Sequence, residues 1–101
     1  EHEGIQLSAK AQKAIGLKSE PYQKGRIPLT ALTRHQNQIS VYRLRDGWHK
    51  RVAVLIKKIK NGQAVIQTDE LRKGDFVAVQ GVALLRVAEL DAFSGEVGHS
   101  H

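Results

Sequence analysis

Two dipeptides, Asp46-Gly47 and Asn61-Gly62, set the strongest limit on what this chain can fold into. The tightest hairpin loop needs positive φ at both central positions, and Asp or Asn followed by Gly meets that need with least strain. The sequence alternates on either side of them. Residues 39–45 set Ile39, Val41 and Arg43 against Ser40, Tyr42 and Leu44. Residues 48–60 read as one long strand, with Trp48, Val52, Val54 and Ile56 on one side. His49, Arg51, Ala53, Leu55 and Lys57 lie on the other. A third strand, 63–68, follows the second turn, so an antiparallel meander is expected.

The flanks carry weaker signals. Ile5 and Leu7 alternate like a short strand, Ser8 suits the cap of a helix over 9–15, and Gly16 suits its end. Ala11, Ala14 and Ile15 then form a small apolar stripe fit to rest on a sheet. Residues 17–22 read as another strand, confined to an edge by Pro21. Gly25 breaks the chain, Pro28 holds Ile27 extended, and 29–32 reads as a turn or one helical turn. His35-Gln36-Asn37-Gln38 reads as a loop. A single turn at 69–71 and a tight turn at Lys73-Gly74-Asp75 lead into a strand over 76–80. Residues 82–93 stay open between two readings: Val82, Leu85 and Glu89 suit a helix, whereas 82–87 also suits a closing strand.

The expected fold is mainly β: a small antiparallel β-roll or barrel of about six strands with one short N-terminal helix. At 101 residues the chain has room for one sizeable core. The expected plan is a polar lead-in at 1–4, a single domain at 5–93 and a flexible histidine-containing tail at 94–101. The core is expected around Val52, Val54, Ile56, Val65, Phe76 and Val79. Trp48 and Phe93 also sit in core-like patterns.

Cysteine and methionine are both absent, which excludes a disulfide scaffold, a thiolate zinc site, a cysteine nucleophile and a thioether copper site. The longest apolar run, 52–56, falls far short of the roughly 20 residues that span a bilayer. No cationic-then-apolar signal segment opens the chain, so it reads as cytosolic or as a mature or excised portion of an exported protein. Asp69 and Glu70 are adjacent and diverge on either a strand or a helix. No serine has a Gly-x-Ser-x-Gly context, and no phosphate or dinucleotide fingerprint occurs. A non-enzyme is expected.

Net charge is +6 with a pI near 9.9, which suits nucleic acid, an anionic membrane surface or simple solubility. Lys50, Arg51, Lys57, Lys58 and Lys60 form a basic block. It is a candidate docking face for an acidic partner surface or lipid headgroups, the bland alternative being a solvated strand face. A nucleic-acid reader would add exposed aromatics for base stacking, and most of the five aromatics sit in core patterns. His2, His99 and His101 are candidate ligands for a weakly bound transition metal, because His-x-His lets two imidazoles approach one ion. No cofactor is required.

The order of several motifs carries a resemblance. Ile27-Pro28-Leu29-Thr30-Ala31-Leu32 is followed by a strand holding Val41-Tyr42. Leu71-Arg72-Lys73-Gly74-Asp75 then leads into the valine-rich strand from Phe76 to Val79 and Gly81. This series resembles the membrane-proximal region of HlyD-type periplasmic adaptors, or membrane fusion proteins, of resistance-nodulation-division efflux pumps. Residues 5–21 are similar to the segment that precedes the hairpin module in heavy-metal-type adaptors. Gly98-His99-Ser100-His101 resembles the histidine-bearing tails common there.

In complete adaptors a lipoyl-like domain, an α-helical hairpin and a β-barrel separate the opening segment from the isoleucine-proline segment. Here only 22–26 intervenes, so the chain reads as a natural short relative or as one whose insertion has been removed. The resemblance implies that both chain ends build one membrane-proximal β-roll. It implies a periplasmic domain, inner-membrane associated in the full-length context, that docks on an efflux transporter and on other adaptor protomers. Heavy-metal cations are the implied cargo. The alternative is a cytosolic basic β-barrel that binds RNA or DNA.

Overall fold

Both expected hairpin turns form, with φ of 53° and 82° at Asp46 and Gly47 and of 55° and 75° at Asn61 and Gly62. The computed structural model describes residues 4–98, and of 94–98 the backbone alone. In chain order the elements are α1 (Ala9–Ala14), β1 (Lys18–Pro21), β2 (Arg26–Pro28), a 3-10 turn (Leu29–Ala31), β3 (Thr33–His35) and β4 (Gln38–Arg45). They continue as β5 (Trp48–Ala53), β6 (Leu55–Lys60), β7 (Gln63–Gln67), β8 (Phe76–Gln80) and α2 (Val82–Gly98). Strand accounts for 47 % and helix for 23 %, so the fold is mainly β, as expected. Its two sheets curl into a half-barrel of eight strands.

β4 is the spine of the first sheet. β5 pairs with it from Ser40↔Ala53 to Arg45↔Trp48. Its opposite edge is shared: β3 takes the start, at Thr33↔Ser40, and β8 takes the end, at Arg43↔Val77. β1 closes this sheet by pairing antiparallel with β8. It is an edge strand, which is where Pro21 can be tolerated. The second sheet has three antiparallel strands in the order β2-β7-β6.

The long strand expected over 48–60 divides at Val54. There the amide turns to the Ile39 carbonyl at 3.0 Å, and the chain leaves the first sheet for the second. Val54 and Ile56, both partly buried, pack into the core between the sheets. Burial of the crossing point takes the place of a glycine or proline signal.

Side chains two apart on a strand share a face, so the first sheet buries both of its faces. Val41, Val52 and Val77 meet Ile27, Ala31, Ala64 and Ile66 between the two sheets. Tyr42 and Ala78 meet Ile5, Val82 and Leu85 on the helical side. The molecule therefore has three layers: second sheet, first sheet, helices. Among the described side chains of α2, Val82, Leu85 and Glu89 are buried, so the helical reading of 82–93 holds and the closing strand does not form. The helix continues through Gly98. Residues 99–101 lie outside the described residues.

The opening segment joins the first sheet at two places. Ile5 exchanges two backbone hydrogen bonds with His49, at 2.9 and 2.8 Å. Ser8 caps α1 by accepting from the Ala11 amide at 3.0 Å. β1 runs along β8 with Ser19 opposite Ala78 and Pro21 opposite Phe76, and the Tyr22 amide donates to the Asp75 carbonyl at 2.9 Å. Gly81 starts α2 at φ +81°, and a Cβ there would sit 2.9 Å from the Ile15 carbonyl oxygen. Only glycine allows the end of α1 to approach that closely.

Two expected core aromatics are not core. Phe76 is 41 % exposed and Phe93 is 47 % exposed. Phe76 is the first residue of its strand and lies beside an open groove. Phe93 lies on α2 beyond the buried Glu89.

Candidate docking face

The second sheet separates apolar from basic residues by register. Ile27, Ala64 and Ile66 point inward and are buried. On the outer face Arg26 lies opposite Val65, which lies opposite Lys58, and in the next row Pro28, Gln63 and Lys60 stand in line, so Val65, expected in the core, belongs to this outer face, its register set by the inward Ala64 and Ile66. Arg26, Lys58, Lys60, Asn61, Gln63 and Val65 line a hollow of about 200 Å³. β2, β6 and β7 contain no carboxylate, so the second sheet offers these cations no internal partner. Lys57 falls in a bulge between Ile56 and Lys58 and is exposed.

The five-residue basic block therefore does not share one face. Lys57, Lys58 and Lys60 belong to the second sheet, whereas Lys50 and Arg51 belong to the first. Lys50 stands opposite Arg43, and Arg51 stands opposite Tyr42 on the helical side. Arg26 is the cation that sequence reading missed. It reaches the basic face only because β2 pairs with β7, a contact between distant parts of the chain that no local pattern encodes.

Arg51 enters a polar network between β4, β5 and α2. Glu89, 7 % exposed, accepts at Oε1 from the Tyr42 hydroxyl at 2.7 Å and from Arg86 Nη1 at 2.9 Å. Arg51 Nε lies 3.3 Å from the same oxygen. That is near enough for attraction, but the angle is poor and the nitrogen has no hydrogen-bond partner. Arg86 Nη2 lies 2.7 Å from His35 Nδ1, which must then act as the acceptor. Burial, and next the bond to Glu89, push the Tyr42 phenol well above its ordinary pKa. A phenol held neutral against a carboxylate that already serves two guanidiniums anchors a helix well and is a poor proton donor or nucleophile.

A second ionic anchor lies at Arg45, the last residue of β4. Asp75, 2 % exposed, receives Arg45 through Nε and Nη2, both at 2.7 Å, and the Arg72 amide at 2.9 Å. The Arg45 contact is the main cause holding its carboxyl below the usual range. Arg43 Nη1 donates to the Glu70 carbonyl at 3.1 Å, but its ion pair with the half-exposed Glu70 carboxylate reaches only 3.8 Å, a geometry that contributes little. Between α1 and the β4–β5 turn a groove of about 690 Å³ is lined by Gln6, Leu7, Gln12, Leu44 and Phe76 among others.

His49 is 1 % exposed. Burial lowers its pKa, and its ring nitrogens bond to no group of the described residues. Among the described residues no three histidine, cysteine or acidic side chains gather as metal ligands. His2, His99 and His101 lie outside the described residues. No helix among them is long and apolar enough to cross a membrane. Compared with protein-family models, curated proteins and solved structures, the chain finds no match.

Proposed function

We propose that this domain is a non-catalytic adaptor module, the membrane-proximal roll of an HlyD-type periplasmic adaptor. It docks at the inner membrane on an efflux transporter and beside other adaptor protomers, with heavy-metal cations as the cargo class. The observation that carries this reading is the way the opening segment joins the sheet of the closing strand, β1 on β8. The link from that segment to the isoleucine-proline segment is a surface turn. Lys24 and Gly25 have φ of 58° and 67°, and Gln23 bridges to Arg26. The family carries its lipoyl-like, hairpin and barrel domains at this junction. An exposed turn whose two ends lie side by side accepts such an insertion without disturbing either sheet.

The mechanism is recognition by shape and charge. The outer face of the second sheet, with Arg26, Lys57, Lys58 and Lys60, is turned toward the inner-membrane partner. The two ionic anchors hold β4 and α2 rigid behind it. Terminal histidines would take up a cation only weakly, and no resident cofactor is called for. The nucleic-acid alternative loses ground because the exposed aromatics, Phe76 and Phe93, are in the helix-bearing layers of the molecule. The basic hollow is on the second sheet. Stacking and phosphate neutralisation would then need one strand to contact both sides at once.

The test is genetic complementation in the source organism. Deleting the coding region of this chain should raise susceptibility to transition-metal cations or to drugs. Wild type should restore resistance, and a Lys58→Glu/Lys60→Glu variant should not. Unchanged susceptibility, together with an oligonucleotide shift that collapses steeply with salt, would favour the nucleic-acid reading instead.

A further inference from the structure

We infer that the β6–β7 hairpin is a contact for an anionic lipid bilayer, with its cations on headgroup phosphates and its exposed aliphatic side chains at the acyl boundary. The inference names what the basic face meets at the membrane and rests on the adaptor reading only for the place where the bilayer is met. Four cations, Arg26, Lys57, Lys58 and Lys60, stand in a sheet without a carboxylate. Three of them line a hollow of about 200 Å³, open to a phosphate-bearing headgroup.

Charge alone would fit any polyanion; the apolar residues decide. Leu55 is 60 % exposed and Ile59 57 % exposed, and both lie on β6, the outermost strand of its sheet. Leu29, 38 % exposed, adjoins the hairpin turn through the hydrogen bond its amide donates to the Gly62 carbonyl at 3.1 Å. Exposed aliphatic and lysine side chains thus share one edge strand, Leu55 beside the outer face and Ile59 on the side of its partner Ala64, with no aromatic among them. Nucleic acid has no use for exposed aliphatics and would want rings to stack on. A bilayer surface is anionic above and apolar a few ångströms below. Lysine suits it because the butyl stem can lie in the apolar zone while the ammonium stays at the phosphates. Lysines on an edge strand also discourage edge-to-edge pairing. That role predicts self-association of lysine-free variants, not a lipid phenotype.

Co-sedimentation of the full chain with vesicles tests this. The protein should pellet with phosphatidylglycerol/phosphatidylcholine vesicles at about 0.1 M salt, the regime where charges within roughly 10 Å still interact. It should stay in solution with pure phosphatidylcholine. Lys57→Gln/Lys58→Gln/Lys60→Gln should weaken partitioning about a hundredfold, near fivefold per lysine. Leu55→Ser/Ile59→Ser should weaken binding while leaving its salt dependence intact. Arg26→Gln, on a different strand, gives an independent reading if the triple variant misfolds, and should cost about fivefold. Equal pelleting with both lipids, indifference to these substitutions, or full displacement by millimolar inorganic phosphate would overturn the inference. Vesicle binding that fails while complementation succeeds removes the lipid contact and leaves the adaptor reading standing. The converse result removes the adaptor reading alone.

Discussion

Replacing Glu89 by Gln should loosen the helical layer. Glu89 is 7 % exposed, and its carboxylate is bonded at 2.7 Å by Tyr42 and at 2.9 Å by Arg86. Glutamine keeps the volume and one acceptor but removes the charge that both guanidiniums face. Losing a charged hydrogen bond costs about 1.5–3 kcal/mol, and breaking a fully buried ion pair costs about 3–5 kcal/mol. The Arg86 and Arg51 side chains remain 17 % and 25 % exposed, so water recovers part of the loss. A value of about 2–3 kcal/mol follows, equivalent to a fall in Tm of about 10–20 °C for a domain of this size. Tyr42→Phe removes only one donor and should cost about 1–2 kcal/mol. The double variant should then fall short of the sum by about 1 kcal/mol, since the two residues share one bond. Urea unfolding followed by Trp48 fluorescence and far-ultraviolet circular dichroism measures all three. Glu89→Gln within about 0.5 kcal/mol of wild type, the range of ordinary surface substitutions, would refute the assignment of Glu89 as the anchor of α2.

Three pH windows separate the other buried groups. Asp75 is held ionised by Arg45, so its stabilisation is complete above its unfolded pKa and is lost as pH falls below about 4. Asp75→Asn should cost about 2 kcal/mol at neutral pH and flatten that acid limb in urea titrations. His49 is buried in its neutral form, so stability should decline as pH drops through about 6.5, where the unfolded chain takes up a proton. His49→Leu should remove this shallower decline between about pH 6.5 and 5, seen in melting temperatures across that range. Tyr42 has its pKa raised by burial, so its contribution is present below the unfolded value and lost as pH rises beyond about 10. The phenylalanine variant should show a flatter alkaline limb.

What could be read from the sequence followed from local chemistry. Asp-Gly and Asn-Gly declare their turns because both residues accept positive φ, and Ser8 declares its helix through one side-chain acceptor. The turn at Gln36, with φ of 57°, was hidden because a polar run reads equally as a loop. The passage of the chain from one sheet to the other at Val54 left no mark, since an apolar residue at a buried crossing looks like any strand residue. Glu89 shared the phase of Val82 and Leu85, so its burial was visible in the pattern. Its partners Tyr42 and Arg51 were not, because they come from strands more than thirty positions away. The basic face was half readable: Lys57, Lys58 and Lys60 are consecutive or nearly so, and Arg26 joins them only through the β2–β7 pairing.

Amide hydrogen exchange at Ile5, Tyr22 and Val54 asks most directly whether the front segment and the last strand are one folding unit. The Ile5 amide donates to His49, Tyr22 to Asp75 and Val54 to Ile39. A front segment built into the sheet of β8 predicts that all three open with the same free energy, close to that of global unfolding. Ile5 and Tyr22 exchanging at the rate of an unstructured peptide, while Val54 stays protected, would contradict it.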